Sequence, residues 1–214
     1  MAPVGPRREL SPEKLIVAAL RLIDREGAGA ISMRRLAAAV GVTPMAIYNH
    51  FASKRDLLAA VADHVISATR FDGGHDDWRD QVRHCFEALR GLCLRHPGLP
   101  ALLEVDGAAP ASVFAPMEAT VQALRQAGLD DLDSVRAYFL LIGFTLSQAA
   151  YQARAPIAAL EPSEQNRAGC DYPDTEQLEL PPSWDFDASF AFGLTLILDG
   201  IAVSARQPPE QKAG

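Results

Sequence analysis

The side chains with the most specific chemistry lie between residues 32 and 54, in the string SMRRLAAAVGVTPMAIYNHFASK. A guanidinium such as that of Arg34 can bridge O6 and N7 of guanine, and the amide of Asn49 can pair with adenine. The apolar groups of Met45 and Ala46 can contact thymine methyl groups. These residue types predict a surface that reads base edges in DNA. The alternative for Arg34 is a side chain that only keeps its helix solvated.

A second set of groups in the same string can bind phosphate, which fixes position without reading sequence. Lys54 follows at the start of a helix, where a cation is slightly disfavoured unless an external anion lies near it. Hydroxyl and ring N–H groups of Tyr48 and His50 can add phosphate contacts. The complete set of predicted DNA-binding residues is Ser32, Arg34, Thr43, Pro44, Met45, Ala46, Tyr48, Asn49, His50 and Lys54.

Local signals predict that this string forms two short helices, followed at once by a third. Ser32, Thr43 and Ser53 can each cap a helix N-terminus with a side-chain oxygen. Gly41 suits the left-handed residue that ends the first helix, and Pro44 suits the first position of the second. Apolar contacts between the two short helices are expected from Leu36, Val40, Val42 and Ile47. This arrangement is a helix-turn-helix, whose second helix enters the major groove.

The stretch TPMAIYNHF followed by SKRDLL resembles the recognition helix and next helix of the tetracycline-repressor (TetR) family. Its position within the first 60 residues, after one amphipathic helix, also fits that family. The resemblance implies phosphate contacts by Lys54 and an all-α chain that binds operator DNA as a homodimer. An all-helical domain with no role on DNA is the alternative.

Charge is divided unequally along the chain. The net charge is −7, but residues 1–70 sum to +4 and residues 71–214 sum to −11. A DNA-binding surface needs positive charge near phosphate, so the basic segment is the one expected to face DNA and the acidic segment is expected to face away.

The remaining bulk features exclude several classes of protein. No apolar run reaches the ~18 uninterrupted residues of a membrane span, and the N-terminus lacks the apolar segment of a secretory signal. Three cysteines, an odd number, argue against a disulfide framework and favour a cytoplasmic protein. No nucleophile, zinc or phosphate-loop motif is present, so we predict no enzyme activity and no cofactor.

The segments predict an all-α architecture with three parts. Residues 1–10 form a flexible basic arm, residues 11–70 a helix-turn-helix domain with its connecting helix, and residues 71–214 a C-terminal ligand-binding and dimerisation domain. Within the last part, the proline-rich residues 155–184 form a long loop. Predicted helices beyond the string run from Ser11 to about Glu26, Lys54 to Arg70, Asp76 to Arg95, Leu99 to Val105, Ala111 to Gln126, Asp131 to Ala153, and Asp185 to Arg206.

Two helices in the C-terminal part are apolar on nearly all sides, YFLLIGFTLSQA and FAFGLTLILDGIAV. Each must be buried on more than one face. Pairing with a second copy would form a four-helix interface, and the TetR resemblance implies the same dimer; a hydrophobic monomer core is the alternative. The predicted dimer-interface residues are Leu141, Thr145, Phe190, Leu194, Ile197 and Ile201.

The TetR resemblance also implies a C-terminal cavity whose small-molecule occupant releases the protein from a pseudo-palindromic operator. Its predicted lining, for each member of which core packing is the alternative, is His84, Phe86, Leu103, Phe114, Met117, Tyr138, Phe144, Gln148, Tyr151 and Trp184. Family members that bind magnesium-tetracycline use histidines where this chain reads SATRF and ALLEVDG. We therefore predict no metal site, and expect Glu104 and Asp106 to hold only water. A sequence-tolerant architectural DNA binder without a ligand is the rival interpretation.

Overall fold

A computed structural model describes residues 10–103, 109–154 and 184–206, in which every regular element is a helix and none is a strand. The described helices, numbered α1 to α9 in chain order, are Pro12–Glu26, Met33–Val40, Pro44–Tyr48, Lys54–Ser67, Trp78–Arg95, Leu99–Leu103, Ala115–Gln126, Asp131–Arg154 and Phe186–Ala205. Short 3-10 helices cover Ala28–Ala30 and Ala111–Phe114. The all-α prediction is confirmed.

Three predicted helix boundaries differ from those in the structure. The connecting helix α4 ends at Ser67 instead of Arg70. Helix α5 starts two residues late because the Asp77 carboxylate accepts hydrogen bonds from the amides of Arg79 and Asp80. The sequence predicted one helix over 111–126, but the structure has a 3-10 helix followed by α7, which begins at Ala115. The break lies there because Pro116 has no N–H to donate to the preceding turn of an α-helix.

Several predicted features lie outside the described residues. These are most of the basic arm, the end of the helix predicted to reach Val105, the pair Glu104 and Asp106, and nearly all of the 155–184 loop.

The N-terminal helices pack around the apolar stripe of α1. Leu15 and Ala19 are fully buried against α2 and α4, and Leu36 and Ile47 complete this part of the core. The turn after α1 is held by Arg35, whose guanidinium pairs with Glu26 and donates to the Ala30 carbonyl at 3.3 Å. These contacts fix where α2 begins relative to α1.

The C-terminal helices pack around α5, which contacts both α7 and α8. Helix α9 lies against α8, where Gly193 allows the Phe144 ring to approach the backbone and to stack on Phe190 with centroids 5.4 Å apart. Arg90 of α5 donates to Asp187 of α9 at 2.6 Å. The acidic groups of α9 therefore point toward α5.

Helix α9 is unusually apolar for the amount of it that is buried. Its most apolar 18 residues have a mean hydropathy of 1.7, yet only 28% of that stretch is buried within the chain. By length and composition alone, the helix is long and apolar enough to cross a membrane. However, Asp187 and Asp199 interrupt it, and both form ion pairs with arginines of α5. A large apolar surface on α9 is thus exposed in the single chain.

We expect Gly98→Ala to lower the free energy of unfolding by about 1–3 kcal/mol, the usual range for overpacking. A Cβ at this position would lie 2.5 Å from Ile23 Cγ2 and 3.1 Å from the Ile23 carbonyl oxygen. Gly91→Ala is the matched control, because its Cβ would meet only the movable Arg95 guanidinium at 3.3 Å. Alanine is also the better helix former, so this control should be neutral or stabilising. Urea unfolding curves measure both, and equal stability of the two variants would contradict the tight Ile23–Gly98 contact.

Candidate functional site

The two short helices of the helix-turn-helix are set by the predicted capping groups. The Ser32 hydroxyl accepts the Arg35 amide at 3.2 Å, and the Thr43 hydroxyl accepts the Ala46 amide at 3.4 Å. Between them, Gly41 adopts φ 75° and ψ 35°, a left-handed conformation that costs other residues free energy. Ser53 then caps α4 by accepting the Asp56 amide at 3.1 Å. Each boundary is therefore fixed by local sequence.

Helix α3 is anchored by buried apolar groups and presents its other face to solvent. Ile47 is fully buried and Phe51 is nearly so, which fixes the segment to the core. In contrast, Met45 is 69% exposed and Tyr48 is 47% exposed. The other predicted DNA-binding residues are also accessible, with Arg34, Thr43, Pro44, Asn49, His50 and Lys54 exposed and Ser32 and Ala46 partly buried.

The exposed segment is shorter as a helix than the sequence suggested. Helix α3 has five residues, and Asn49 and His50 occupy the turn that follows it. Here the His50 and Phe51 amides both donate to the Ile47 carbonyl, at 2.9 and 3.0 Å. This turn directs Phe51 into the core and leaves the side chains of Asn49 and His50 on the surface.

Helix α1 packs beside the helix-turn-helix. The Ser11 hydroxyl chiefly lowers the pKa of the exposed Glu13 carboxyl, and the Glu13 amide and the charge of His50 act in the same direction. Helix α1 itself packs against α2, whose N-terminus carries Ser32 and Arg34. Helix α1 therefore borders the candidate DNA-binding surface.

A cavity of about 40 Å³ lies where the connecting helix meets the C-terminal helices. It is lined by Ile66, Phe71, Leu89, Leu92, Cys93, Leu99, Pro100, Leu103, Val113, Pro116, Ile142 and Leu146. Burial raises the pKa of the Cys93 thiol to about 11, so this group stays protonated at neutral pH. The cavity is thus apolar and uncharged.

Of the ten predicted ligand-binding residues, only Leu103 lines this cavity. Phe86 and Tyr138 belong to the packed core, where burial raises the pKa of the Tyr138 hydroxyl to about 12. Phe114, Tyr151 and Trp184 are exposed, and His84, Met117, Phe144 and Gln148 are partly buried outside the cavity. The prediction chose residues by type, whereas the aliphatic residues that line the cavity have no sequence pattern distinct from the core.

The residues predicted for the dimer interface belong to the core of the single chain. Leu141, Thr145, Phe190, Leu194 and Ile201 are buried inside the single chain, and Ile197 is partly buried against the same core. A side chain that the chain's own helices cover is not available to a partner. The surface of these two helices that is accessible in the single chain lies on their opposite face.

That opposite face is apolar and exposed. Its large side chains are Phe139, Leu140, Phe192, Leu196 and Val203, each 57–68% exposed. Gly143 and Gly200 also lie exposed on these helices, and among the described residues no neighbouring segment or side chain lies within 4 Å of where their Cβ atoms would be. We name these seven residues the α8–α9 face.

Two family descriptions match nearly the whole chain. "Bacterial regulatory proteins, tetR family" matches residues 15–61, which include the capped helix-turn-helix. "Tetracyclin repressor-like, C-terminal domain" matches residues 72–205, which include the cavity and the α8–α9 face. The chain belongs to the TetR family. It is a DNA-binding transcriptional regulator of a kind that binds ligands, and TetR-family regulators are not enzymes.

Individual TetR-family proteins resemble the chain over nearly its whole length. The transcriptional repressor DrrR1 of Streptomyces coeruleorubidus is 31% identical, covering 95% of this chain and 81% of that protein. ActR of Streptomyces coelicolor, solved in complex with actinorhodin, is 27% identical with a TM-score of 0.76, covering 93% of this chain and 100% of ActR. BioQ, solved with its double-stranded DNA operator, is 28% identical with a TM-score of 0.66, covering 91% and 99%.

Proposed function

We propose that this protein is a repressor that binds a pseudo-palindromic operator as a homodimer in the cytoplasm and leaves it when a small molecule binds. The proposal of DNA binding is supported chiefly by the exposure of Met45 and Tyr48 on a helix whose opposite side, at Ile47, is fully buried. Base-edge contacts come from Arg34, Met45, Ala46 and Asn49, whereas Tyr48, His50 and Lys54 bind phosphate.

The proposed dimer forms through the α8–α9 face. Five large apolar side chains concentrated on two packed helices form a patch that monomers rarely expose. A two-fold axis would pair each face with its own copy, and Gly143 and Gly200 would let the backbones approach closely. The dimer presents two helix-turn-helix domains, so half-sites should be centred about one DNA turn apart or a multiple of it.

The proposed effector is an uncharged, largely apolar small molecule that enters the cavity beside α4. Typical ligand pockets hold roughly 300–1,000 Å³, so a cavity of about 40 Å³ must expand to admit one. Part of its wall is formed by Ile66, in the last turn of α4, and by Phe71, just beyond the end of that helix; α4 connects to the DNA-binding domain. A ligand that favours the expanded state would therefore shift the DNA-binding domains. The complex of ActR with actinorhodin supports a small-molecule effector.

Lys54→Ala tests the DNA-binding assignment. We expect weaker binding to specific and random duplexes alike, and a slope of log affinity against log salt that is shallower by about one for each phosphate no longer neutralised. Gln122→Ala on α7 is the control, since this exposed residue lies in the C-terminal domain. Fluorescence anisotropy at several salt concentrations measures the slope. A Lys54→Ala slope equal to that of the wild type would contradict the phosphate contact.

Leu103→Trp tests the effector site by filling the apolar cavity. We screen apolar compounds for those that raise the unfolding temperature and release DNA, because a ligand that binds only the folded state stabilises it. Compounds that act through the cavity should lose both effects in Leu103→Trp, while the variant still binds DNA. Retention of both effects would place the ligand elsewhere. A wild-type protein that binds random DNA as tightly as any selected sequence would instead favour the architectural interpretation.

A further inference from the structure

Helix α9 is attached to the rest of the described chain by few contacts for its length. It packs chiefly against α8, and only 28% of its most apolar stretch is buried. Helix α5 reaches it through two ion pairs, Arg90 with Asp187 at 2.6 Å and Arg79 with Asp199 at 3.4 Å. The side chains of the second pair are 33% and 65% exposed, and exposed ion pairs stabilise little. The orientation of α9 therefore depends mainly on α8 and on Arg90.

The Arg90 side chain lies where α5, α8 and α9 meet. Its Nη2 atom donates to Oε1 of Gln152 on α8 and to Oδ1 of Asp187 on α9, both at 2.6 Å. The guanidinium carbon lies 4.8 Å from the centroid of the Phe190 ring, which stacks on Phe144 of α8. A single side chain of α5 thus contacts both of the helices that carry the α8–α9 face.

The surroundings of Arg90 do not favour a charge that serves stability alone. Its side chain is only 12% exposed, and its Nε atom is buried without an acceptor among the described residues. Asp187 is 81% exposed, so water screens much of its attraction for the guanidinium. Apolar side chains of similar volume often stabilise a fold as well as a buried charge does. What the polar contacts of Arg90 add is specificity, because one arrangement of α9 on α8 satisfies them together.

We propose that Arg90 is a positioning residue that fixes α9 on α8 in the arrangement that the dimer requires. The inference rests on the proposed function, because it concerns the dimer proposed at the α8–α9 face. Arg90 belongs to α5 and is not one of the residues of that face, so it acts on dimer formation through the placement of α9. Well-packed interfaces need complementary shapes, so a shift of α9 along α8 weakens the dimer while each copy stays folded.

The first test is Arg90→Met, which removes the polar contacts and keeps a long, adaptable side chain in the same space. We expect the dissociation constant of the dimer to rise by roughly 5- to 30-fold, the upper part of the range for residues that act on a site without touching it. Sedimentation equilibrium of the full chain over a range of concentrations measures this constant.

Arg83→Met is the matched control, because it makes the same change on α5 and removes an ion pair within that helix, to Asp80 at 2.6 Å. Its dissociation constant should stay within about twofold of the wild type, since such exposed pairs stabilise little. An equal rise in both variants would attribute the effect to the lost charge and overturn the role of Arg90.

Asp187→Asn tests the same contact from α9. Because Asp187 is 81% exposed, this variant should fold, and its dimer should also be weaker than that of the wild type. In Arg90→Met/Asp187→Asn, the rise in the dissociation constant should be smaller than the product of the two single rises, because both changes break one contact. A rise equal to that product would overturn the proposal.

Unfolding of a monomeric variant separates positioning from simple stability. Phe192→Glu/Leu196→Glu is designed to remove the proposed interface by changing two exposed side chains, and Arg90→Met is then added to it. The midpoints of urea unfolding with and without Arg90→Met should agree. A midpoint lowered by Arg90→Met in this monomer would make Arg90 a stabilising residue of the single chain and overturn the positioning role.

The oligomeric state of the wild type separates this proposal from the proposed function. If the wild type is a dimer and Arg90→Met has the same dissociation constant, the role of Arg90 is overturned and the proposed dimer stands. If the wild type sediments as a monomer at every concentration, the proposed dimer is contradicted, together with the role that rests on it.

Discussion

Replacing Phe192 and Leu196 together with glutamate is expected to yield a monomer and to lower operator affinity by roughly 10²- to 10⁴-fold, the usual gain from linking two binding modules. The two side chains are 68% and 57% exposed in the single chain, so the change should leave the monomer folded. In the proposed dimer, it would bury unpaired carboxylates at the interface, which is strongly unfavourable. Sedimentation velocity measures the mass, and anisotropy measures operator affinity.

The control is Phe114→Glu, which places a carboxylate on an exposed aromatic residue outside α8 and α9. This variant should remain dimeric. Leu194→Asp is informative in a different way, because Leu194 is buried within the chain and the change should unfold the monomer itself. If the Phe192→Glu/Leu196→Glu protein sedimented as a dimer, the α8–α9 face would not be the interface.

Met45→Glu should reduce operator affinity at least about 100-fold, since a like charge placed against the DNA costs several kcal/mol at each half-site. Met45 is 69% exposed on α3, so the fold should not change. The unfolding temperature should therefore match that of the wild type, while binding to specific and random duplexes both weaken.

Gln122→Glu makes the same formal change in charge on α7, far along the chain from the DNA-binding domain. Its DNA affinity should stay within about twofold of the wild type, because charges separated by more than about one Debye length are largely screened. If DNA affinity fell equally in both variants, the change in net charge would explain the loss. Normal binding by Met45→Glu would exclude α3 as the segment that enters the groove.

The helix-turn-helix was predictable because each of its boundaries is encoded by adjacent residues. The hydrogen bonds that cap these helices join residues only three or four positions apart, so no tertiary information is needed to predict them. The capping residues are Ser32, Gly41, Thr43 and Ser53. The length of α3 was less predictable. Its end depends on Phe51 reaching the hydrophobic core, which is built from residues distant in sequence.

The orientation of α9 was not predictable from hydropathy. Both sides of the helix are apolar, so no hydrophobic period marks an inner face. The structure decides it through tertiary contacts, including Gly193 against Phe144 and the pairing of Asp187 and Asp199 with arginines of α5. The cavity depends in the same way on several separate segments, because apolar residues that line a void look like any other core residues.

Selection of duplexes from a random-sequence pool tests the central claim most directly. The wild-type protein should enrich an inverted repeat whose half-sites are centred about 10 base pairs apart or a multiple of that spacing. The Met45→Glu protein should enrich no such sequence. Absence of any enriched sequence with the folded wild type, or the same repeat enriched by both proteins, would contradict DNA reading through α3.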